Sequence, residues 1–409
     1  MPSKKMCLAC KGRLWCGPKC HILEKHSRRK RITSEIKNNE FSGTMPPGVF
    51  VSWTSYPKIS LAPLSPPFSG NDIKIMDTPE QWFNKDRDEI INFRESLIRA
   101  NRKYNVTSAS NPSYDLVEIQ ESIMSEKPVD VEISLIKTPK TELSFSETSA
   151  PMGPSADLKN FKLTENPKIP QKVDYLVSDT DAKSITALTE LHSSGFDVSY
   201  LYKLLSSGVL GQKKKRRLVP TRWAITATDS NISAQLIDKI KDMNELNEIR
   251  IFNSEYLGNY FHILLYPSNW EFENLESWQP GTVWTSTETS SNTISDSEFY
   301  KGRKTYASNT AGAYYASRLA IAEYLTKQKR QAGCIIFREI SKDYDIPMGV
   351  WVIRETVRNA LEKSYLKFYD FNLALNYLST KLKNPMKTYS QKSALIDNKK
   401  HQKRIKDFL

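Results

Sequence analysis

The hydrophobic pattern is most regular after about residue 172, where helical and strand-like segments alternate along the chain. Apolar residues at helical spacing predict helices in KSITALTELHSSG and DVSYLYKLLSSG, which end at Gly195 and Gly208, and in ISAQLIDKIKDM, TAGAYYASRLAIAEYLTKQKRQ and MGVWVIRETVRNALEK. Runs of apolar and β-branched residues predict strands in LVPTRWAITA, EIRIFNSEY, NYFHILLYP and GCIIFREI. This alternation predicts a mixed α/β (α+β) body.

The pattern before residue 172 is less regular. Six prolines between residues 46 and 67 exclude a helix over 31–76, which is predicted as an irregular, extended segment. Residues 78–103 have helical spacing and are predicted as one long amphipathic helix with Asp77 as its N-cap. Residues 105–171 are rich in Ser, Thr, Pro and Glu and are predicted to be partly flexible around a strand in VDVEISLIK.

Four of the five cysteines lie within the first 20 residues, in CLACKGRLWCGPKC. The spacing C-x2-C-x5-C-x3-C is typical of two tight turns that each supply thiolates to a tetrahedral zinc ion, and so short a segment needs the metal in order to fold. A redox or accidental cluster is the alternative, and His21 and His26 are reserve ligands. The predicted ligands of this structural zinc are Cys7, Cys10, Cys16 and Cys20.

Positive charge is concentrated at the two ends of the chain, whose net charge is +13. Residues 1–30 hold nine Lys or Arg against Glu24, and residues 381–409 hold nine against Asp397 and Asp407. Basic ends suit a polyanionic partner, because contacts with phosphates release condensed counterions. The alternative is that the charges only keep both ends solvated.

The last eight residues, QKRIKDFL, place apolar residues where no core is expected. A single 3₁₀ turn would bring Ile405 and Phe408 together, and such a segment orders when a partner offers a pocket. The pattern resembles the motif with which partners bind the PCNA-type sliding clamp. The predicted clamp-binding residues are Gln402, Ile405, Phe408 and Leu409.

The predicted organisation is a zinc-binding module over residues 1–30, a mixed α/β core domain over 31–384 and a flexible, disordered basic tail over 385–409. The longest apolar runs, such as FHILLY, are far shorter than the roughly 20 residues that cross a bilayer, and the first residues do not resemble a signal peptide. We therefore expect a soluble protein that does not interact with membranes.

Several long stretches resemble, in order, the archaeal Nre family of DNA-repair proteins: CLACKGRLWCGPKC, GVFVSWTSYPKISLAPL, VDYLVSDTDAKS, RRLVPTRWAITATDSNIS, GRKTYASNTAGAYYASRLAIAEYL, RQAGCIIFREI and IPMGVWVIRETVRNAL. The resemblance implies a sliding-clamp partner, a role in repairing DNA damage and a cytoplasmic, nucleoid-associated location, but no defined reaction. The chain departs from the family at Leu409, where an aromatic residue is usual, and at VSWTSYP, where Gly and Arg are more common.

Two groups of cations are candidates for binding DNA phosphates. Five consecutive cations in KKKRR repel one another unless they are solvated or bound to an anion, and Arg354 and Arg358 are one helical turn apart. The alternatives are an exposed loop and a network of salt bridges. The candidates are Lys213, Lys214, Lys215, Arg216, Arg217, Arg222, Arg303, Arg338, Arg354 and Arg358.

Several carboxylates are candidates for catalysis, because acids that converge with arginines suit phosphodiester or nucleotide chemistry. Asp179 and Asp181 are two residues apart and are a candidate Mg²⁺ site, whereas Asp229 is alternatively a helix N-cap. The chain has no Walker loop, G-x-S-x-G, H-E-x-x-H or Rossmann fingerprint. The catalytic candidates are Asp179, Asp181, Asp229, Glu339 and Glu355.

Aromatic residues among Pro and polar residues are candidates for stacking on bases, although packing in the core is their commoner role. They are Trp53, Tyr56, Trp82, Trp270, Trp278 and Trp284. Taken together, these patterns favour a DNA-repair protein that is recruited to DNA through a sliding clamp. A metal-dependent hydrolase of nucleotides or nucleic acids and an adaptor without catalysis are the alternatives.

Overall fold

The structure is a computed structural model that describes residues 9–15, 17–18, 20–70, 72–140, 150–282, 285 and 291–401. The chain divides into two compact units, Met1–Asn231 and Ile232–Leu409, and each unit contains one six-stranded sheet. The mixed α/β class predicted from the sequence is confirmed. The boundary between the units lies inside the predicted core domain of residues 31–384.

The helices within the described ranges are α1 (His21–Ser34), α2 (Arg87–Ser96), α3 (Tyr114–Met124), α4 (Gln171–Ser178), α5 (Ser184–Ser193), α6 (Val198–Ser206), α7 (Thr221–Ile240), α8 (Gly312–Gln328), α9 (Trp351–Glu362), α10 (Phe371–Ser379), α11 (Met386–Ser390) and α12 (Ala394–His401). Short 3₁₀ helices occur at Ile73–Asp77, Pro79–Gln81, Val106–Ser110 and Lys213–Lys215. The helices predicted to end at Gly195 and Gly208 are confirmed as α5 and α6, and both glycines have positive φ.

The strands are β1 (Glu40–Met45), β2 (Val49–Ser52), β3 (Lys58–Ser65), β4 (Ile98–Asn105), β5 (Val129–Leu135), β6 (Ser155–Leu163), β7 (Ile249–Tyr256), β8 (Asn259–Tyr266), β9 (Glu271–Trp278), β10 (Asn292–Glu298), β11 (Gly333–Ile340) and β12 (Leu366–Phe368). Sheet one, in the first unit, has the order β1-β5-β6-β4-β3-β2. Sheet two, in the second unit, has the order β10-β9-β11-β8-β7-β12.

The irregular segment predicted over residues 31–76 is wrong, because β1, β2 and β3 lie within it. The prolines exclude a helix, but they do not exclude strands. Pro63 lies in β3 where the pairing with β4 skips residues 62 and 63, so the missing N–H of proline interrupts no bond to β4.

The single long helix predicted over residues 78–103 is also wrong, because this segment forms a 3₁₀ turn, then α2 and then β4. The N-cap of α2 is Asp86, whose carboxylate accepts a hydrogen bond from the Asp88 N–H at 2.7 Å. Asp77, the predicted cap, is buried and forms an ion pair with Lys203 at 2.9 Å.

The strand predicted in VDVEISLIK is confirmed as β5. The flexible sequence predicted around it contains α3 and β6, and residues 141–149 lie outside the described residues. The strand predicted in LVPTRWAITA is wrong, because its residues from Thr221 onward form the start of α7. The Pro220 carbonyl accepts hydrogen bonds from the N–H groups of Trp223 and Ala224 at 2.8 and 2.9 Å and so begins this helix.

Sheet two is covered by helices on both faces. Cys334 and Ile336 of its central strand β11 pack into a core with α8 and α9, whereas Ile335 and Phe337 pack into a core with α10, α11 and α12. Burial on both faces explains why GCIIFREI is apolar over most of its length, as the sequence predicted. The strands predicted in EIRIFNSEY and NYFHILLYP are confirmed as β7 and β8, which form an antiparallel pair.

The predicted flexible tail differs from the structure up to His401, because residues 386–401 form α11 and α12. The side chains of Tyr389, Leu395 and Ile396 are buried against sheet two. Residues 402–409, which carry the predicted clamp motif, lie outside the described residues.

Candidate nucleic-acid interface

The turn between β2 and β3 presents aromatic side chains on the surface of the first unit. The Tyr56 N–H donates to the Trp53 carbonyl at 3.1 Å and closes the turn, while the Ser52 hydroxyl accepts from the Thr54 N–H at 3.3 Å. The side chains of Trp53 and Tyr56 are 53% and 54% exposed. Local hydrogen bonds therefore fix a turn that carries two largely accessible rings.

The start of α7 adds a third ring to this surface. The Val51 N–H of β2 donates to the Thr221 hydroxyl at 2.8 Å, which attaches the first turn of α7 to sheet one. Two residues later, the Trp223 ring lies 5.2 Å from the Tyr56 ring, centroid to centroid, and is 45% exposed. We call Trp53, Tyr56 and Trp223 the aromatic patch.

The cations of KKKRR lie beside the same turn and are called the basic loop, residues 213–217. The Leu218 N–H donates to the Val106 carbonyl at 2.9 Å, and the Val106 N–H donates to the Pro57 carbonyl at 3.0 Å. These two backbone hydrogen bonds connect the end of the basic loop to the residue that follows Tyr56. The basic loop and the aromatic patch therefore lie close together in the first unit.

The side chains of the basic loop divide between solvent and structure. Lys213, Lys214, Lys215 and Arg217 are exposed, as is Arg222 in the first turn of α7. These exposed cations are available to an anionic ligand.

Arg216 has a structural role within the loop. Its guanidinium donates to the carbonyls of Val177 and Gly211 at 2.5 and 2.9 Å, and burial lowers the pKa of Arg216. These bonds hold the loop against the end of α4, so its exposed neighbours project from a fixed backbone.

Gly208 lets α6 approach the basic loop closely. Its φ is +72°, and a Cβ at this position would lie 2.7 Å from the Arg217 carbonyl oxygen and 2.5 Å from the Ala109 Cβ. Only glycine accepts this conformation and this contact without displacing the backbone of the loop.

Most other arginines proposed to bind phosphate are engaged by acceptors within the second unit. Arg338 is buried and donates to Asn259 at 2.6 Å and to Glu276 at 2.7 Å. Arg303 pairs with Asp296 at 3.1 Å. These side chains stabilise the unit, as the salt-bridge alternative predicted.

The two arginines of α9 are not arranged as an open phosphate clamp. Arg358 makes a forked pair with Glu323 at 2.7 and 2.9 Å and a further bond with Glu355 at 2.9 Å. Arg354 is 1% exposed. The catalytic candidate Glu355 thus accepts a hydrogen bond from Arg358, which lies one turn further along α9.

The catalytic candidates of the first unit, all of them within the described residues, do not join a group of side chains that could hold a metal ion. The Asp179 carboxylate accepts from the N–H groups of Asp181 and Ala182, both at 3.0 Å, and so caps the turn after α4. Asp181 is exposed, and Asp229 is buried in the interior of α7 rather than at a strand end. Among the residues that the structure describes, no three His, Cys, Asp or Glu converge on a possible metal site.

Glu339, the candidate on β11, holds the segment that follows α10. It accepts hydrogen bonds from the Asn384 N–H, the Lys383 N–H and the Tyr389 hydroxyl at 2.8, 2.9 and 2.8 Å. Because its carboxylate already accepts three hydrogen bonds, Glu339 has a structural role in the fold.

The predicted zinc module is only partly within the described ranges, because Cys7 and Cys16 lie outside them. Cys10 is buried, and backbone hydrogen bonds, the largest from Trp15, lower the pKa of its thiol. Cys20 is the N-cap residue of α1. A thiol among backbone N–H donors fits a metal-bound thiolate, so the surroundings of Cys10 are compatible with its predicted role as a zinc ligand.

One feature of this surface, the ring of Trp223, was missed by the sequence patterns. Trp223 was assigned to a strand and not counted among the stacking candidates, although Pro220 followed by Thr221 is a helix-start signal that could have revealed it. Two of the aromatic candidates that were counted, Trp82 and Trp270, are fully buried in the cores.

Within the described ranges no helix is long and apolar enough to span a membrane.

Comparison with known proteins places the chain. Residues 15–285 match the family model described as archaeal Nre, N-terminal, and residues 298–408 match archaeal Nre, C-terminal. The chain belongs to the archaeal Nre family. The resemblance seen in the sequence is thereby confirmed, and the C-terminal Nre match extends into the segment that carries the predicted clamp motif.

Three Nre relatives illustrate the similarity. The chain is 37% identical over 391 residues to the DNA repair protein NreB of Archaeoglobus fulgidus, which covers 95% of this chain and 96% of the relative. It is 38% identical to the DNA repair protein NreA of the same organism, over 92% and 94% of the two chains. It is 37% identical to the DNA repair protein NreA of Haloferax volcanii, over 81% and 80%. No solved structure matches the chain.

Proposed function

We propose that this chain is a DNA repair factor that holds DNA phosphates with the basic loop and is brought to DNA by a PCNA-type sliding clamp. The names of the three Nre relatives support a role in DNA repair. The basic loop supports DNA as the ligand, because its exposed cations are held on a fixed backbone beside exposed aromatic rings.

The physical argument is that like charges at neighbouring positions repel one another, and that binding an anion relieves this repulsion more fully than solvation does. Lys213, Lys214 and Lys215 are all exposed and form a single 3₁₀ turn, which presents three cations over a short length of chain. A nucleic-acid backbone supplies phosphates at regular intervals, and its counterions are released when lysines replace them.

Salt dependence tests this proposal. Replacing Lys213, Lys214 and Lys215 with Gln removes three candidate phosphate contacts. Because each lost contact lowers the slope of log K against log salt by about 0.9, we expect duplex affinity to fall and the slope to become shallower by about 2 to 3. Fluorescence anisotropy of labelled DNA at several salt concentrations measures both quantities.

The control removes the same charge elsewhere. Lys301, Lys304 and Lys342 are exposed residues of the second unit, and their replacement with Gln should leave a steeper slope than the loop variant. Equal slopes for the two triple variants would contradict a special role of the basic loop.

The clamp proposal rests on position as well as on the motif. Residues 402–409 follow directly after α12, whose residues Leu395 and Ile396 are anchored in the core of the second unit. A short segment attached to a fixed helix can place Phe408 and Leu409 in a pocket of a partner. Titrating the clamp with a chain that lacks these eight residues tests the assignment.

A further inference from the structure

We propose that the aromatic patch stacks on unpaired bases, so that the chain binds single-stranded DNA in preference to duplex. This inference rests on the proposed binding of DNA and assigns the part of the ligand that faces Trp53, Tyr56 and Trp223. Duplex bases are stacked on one another, whereas single-stranded bases expose a π-face to any aromatic platform.

The first argument is exposure. Trp82 and Trp270 are 0% exposed, which shows that the fold can bury its large rings completely. The patch instead leaves about half of each of three aromatic side chains in water. A single exposed aromatic residue needs no explanation, but a contiguous group marks a binding surface.

The second argument is the geometry of the rings. Tyr56 and Trp223 are tilted by 52° rather than stacked, so neither ring covers the face of the other. The closed turn at Trp53–Tyr56 and the bond from Val51 to Thr221 fix the backbones that carry them. Rings on fixed backbones lose little conformational entropy when a base stacks on them.

The third argument is charge. The segments 52–58 and 213–223, which form this surface, contain no Asp or Glu and hold seven Lys or Arg residues. Lys58 and Arg222, both exposed, lie in the same two segments as the rings. Aromatic rings interleaved with cations match a strand whose bases stack while its phosphates lie against lysine and arginine.

The test compares ligands that differ only in their bases. An oligothymidine, an abasic strand of the same length and charge, and a duplex of the same length are titrated against the full chain by fluorescence anisotropy. We expect the oligothymidine to bind about tenfold more tightly than the abasic strand, and more tightly than the duplex. This comparison needs no variant, so it holds whatever the stability of the mutants below.

Variants then locate the effect. The triple change Trp53→Ala, Tyr56→Ala and Trp223→Ala should reduce oligothymidine affinity to that of the abasic strand while duplex affinity stays unchanged. The conservative changes Tyr56→Phe and Trp223→Phe should retain most of the preference because phenylalanine still stacks. Tyr369→Ala removes an aromatic side chain that is 83% exposed in the second unit and is the matched control.

The outcomes separate the two proposals. Equal affinity of the wild-type chain for the oligothymidine and the abasic strand would overturn base stacking and leave phosphate binding intact. An unchanged base preference in a folded triple-alanine variant would overturn the assignment to this patch. Failure to bind any of the three nucleic acids would overturn the proposed DNA binding itself.

Discussion

Single residues that looked available for chemistry are used by the fold. Charged residues within apolar segments are typical of functional sites, and three of the candidates were of this kind: Arg338, Glu339 and Glu355. Each of them has a hydrogen-bonding partner within the second unit. The partners of Arg338 and Glu339, which are Glu276 and Asn384, are distant in sequence, so local patterns could not reveal them. A buried charge that loses its partner strongly destabilises the fold, which explains why each of these charged groups has a hydrogen-bonding partner.

Glu273 is the buried carboxyl with the clearest consequence at this scale. It lies on β9 and accepts hydrogen bonds from the Ser393 hydroxyl and from the N–H groups of Ala394 and Leu395, at the start of α12. Burial raises the pKa of Glu273 to about 7, although these donors oppose the rise. The charge state of this residue is thus coupled to the attachment of the C-terminal helix.

This coupling predicts a pH-dependent stability. In the folded chain the pKa of Glu273 is raised above its ordinary value of 4.5, so the protonated carboxyl favours the folded state. This contribution to the free energy of unfolding is complete below about pH 4.5 and is lost as the pH rises through about 7. At 1.36 kcal/mol per unit, the loss is about 3 kcal/mol. Urea unfolding of the wild type and of Glu273→Gln should show that the difference in unfolding free energy changes by this order across that window.

The control for the lost charge is Glu362→Gln, at an exposed position in the same unit. Its unfolding free energy should follow that of the wild type at every pH. Parallel profiles for Glu273→Gln and the wild type would show that the carboxyl is not coupled to folding.

At the scale of elements, the sequence predicted segments whose burial follows a simple period. α5, α6, α8, α9 and β11 were found because their apolar residues recur regularly or fill the whole segment. The first half of α7 was missed, although its second half from Ile232 was predicted as a helix. Thr228 and Asp229 are buried in that first half, so its polar and apolar positions do not separate into two faces. The strands of residues 31–76 were missed because the prolines, which exclude only a helix, also favoured an irregular, extended segment.

The N-terminal zinc module is a prediction that belongs to this scale. Zinc would tie the Cys7–Cys20 segment to the start of α1, whose Arg28 pairs with Glu95 of α2 at 2.6 Å. We expect about one zinc per chain by metal analysis, and we expect chelation to expose this segment to protease while the remainder stays resistant.

Matched cysteine variants sharpen this test. Cys7→Ser should lower the zinc content, whereas Cys334→Ala, which removes a buried core thiol, should not. Full zinc content in the Cys7 variant, or freshly purified wild-type protein without zinc, would contradict the assignment.

At the scale of the whole molecule, hydrophobic periodicity and family resemblance predicted different properties of the chain. Periodicity gave the mixed α/β class, while the resemblance of long ordered stretches gave the archaeal Nre family. Neither gave the aromatic patch, because Tyr56 and Trp223 are 167 residues apart in the sequence and are brought together by the docking of α7 on β2. Sites assembled from distant segments require the folded chain.

The division of the chain also needed the structure. The two family models cover residues 15–285 and 298–408, whereas the compact units divide at Asn231. The N-terminal family model therefore contains all of sheet one together with β7, β8 and β9 of sheet two. A truncation at Asn231 would cut α7, because this helix extends from Thr221 to Ile240.

The most direct test of the proposed function is a calorimetric titration of a PCNA-type sliding clamp with the full chain and with a chain that lacks residues 402–409. The account predicts saturable binding by the full chain, loss of that binding on truncation and on Phe408→Ala, and an unchanged melting temperature in both altered chains. Undiminished binding by the truncated chain, or no binding by the full chain, would contradict recruitment through this segment.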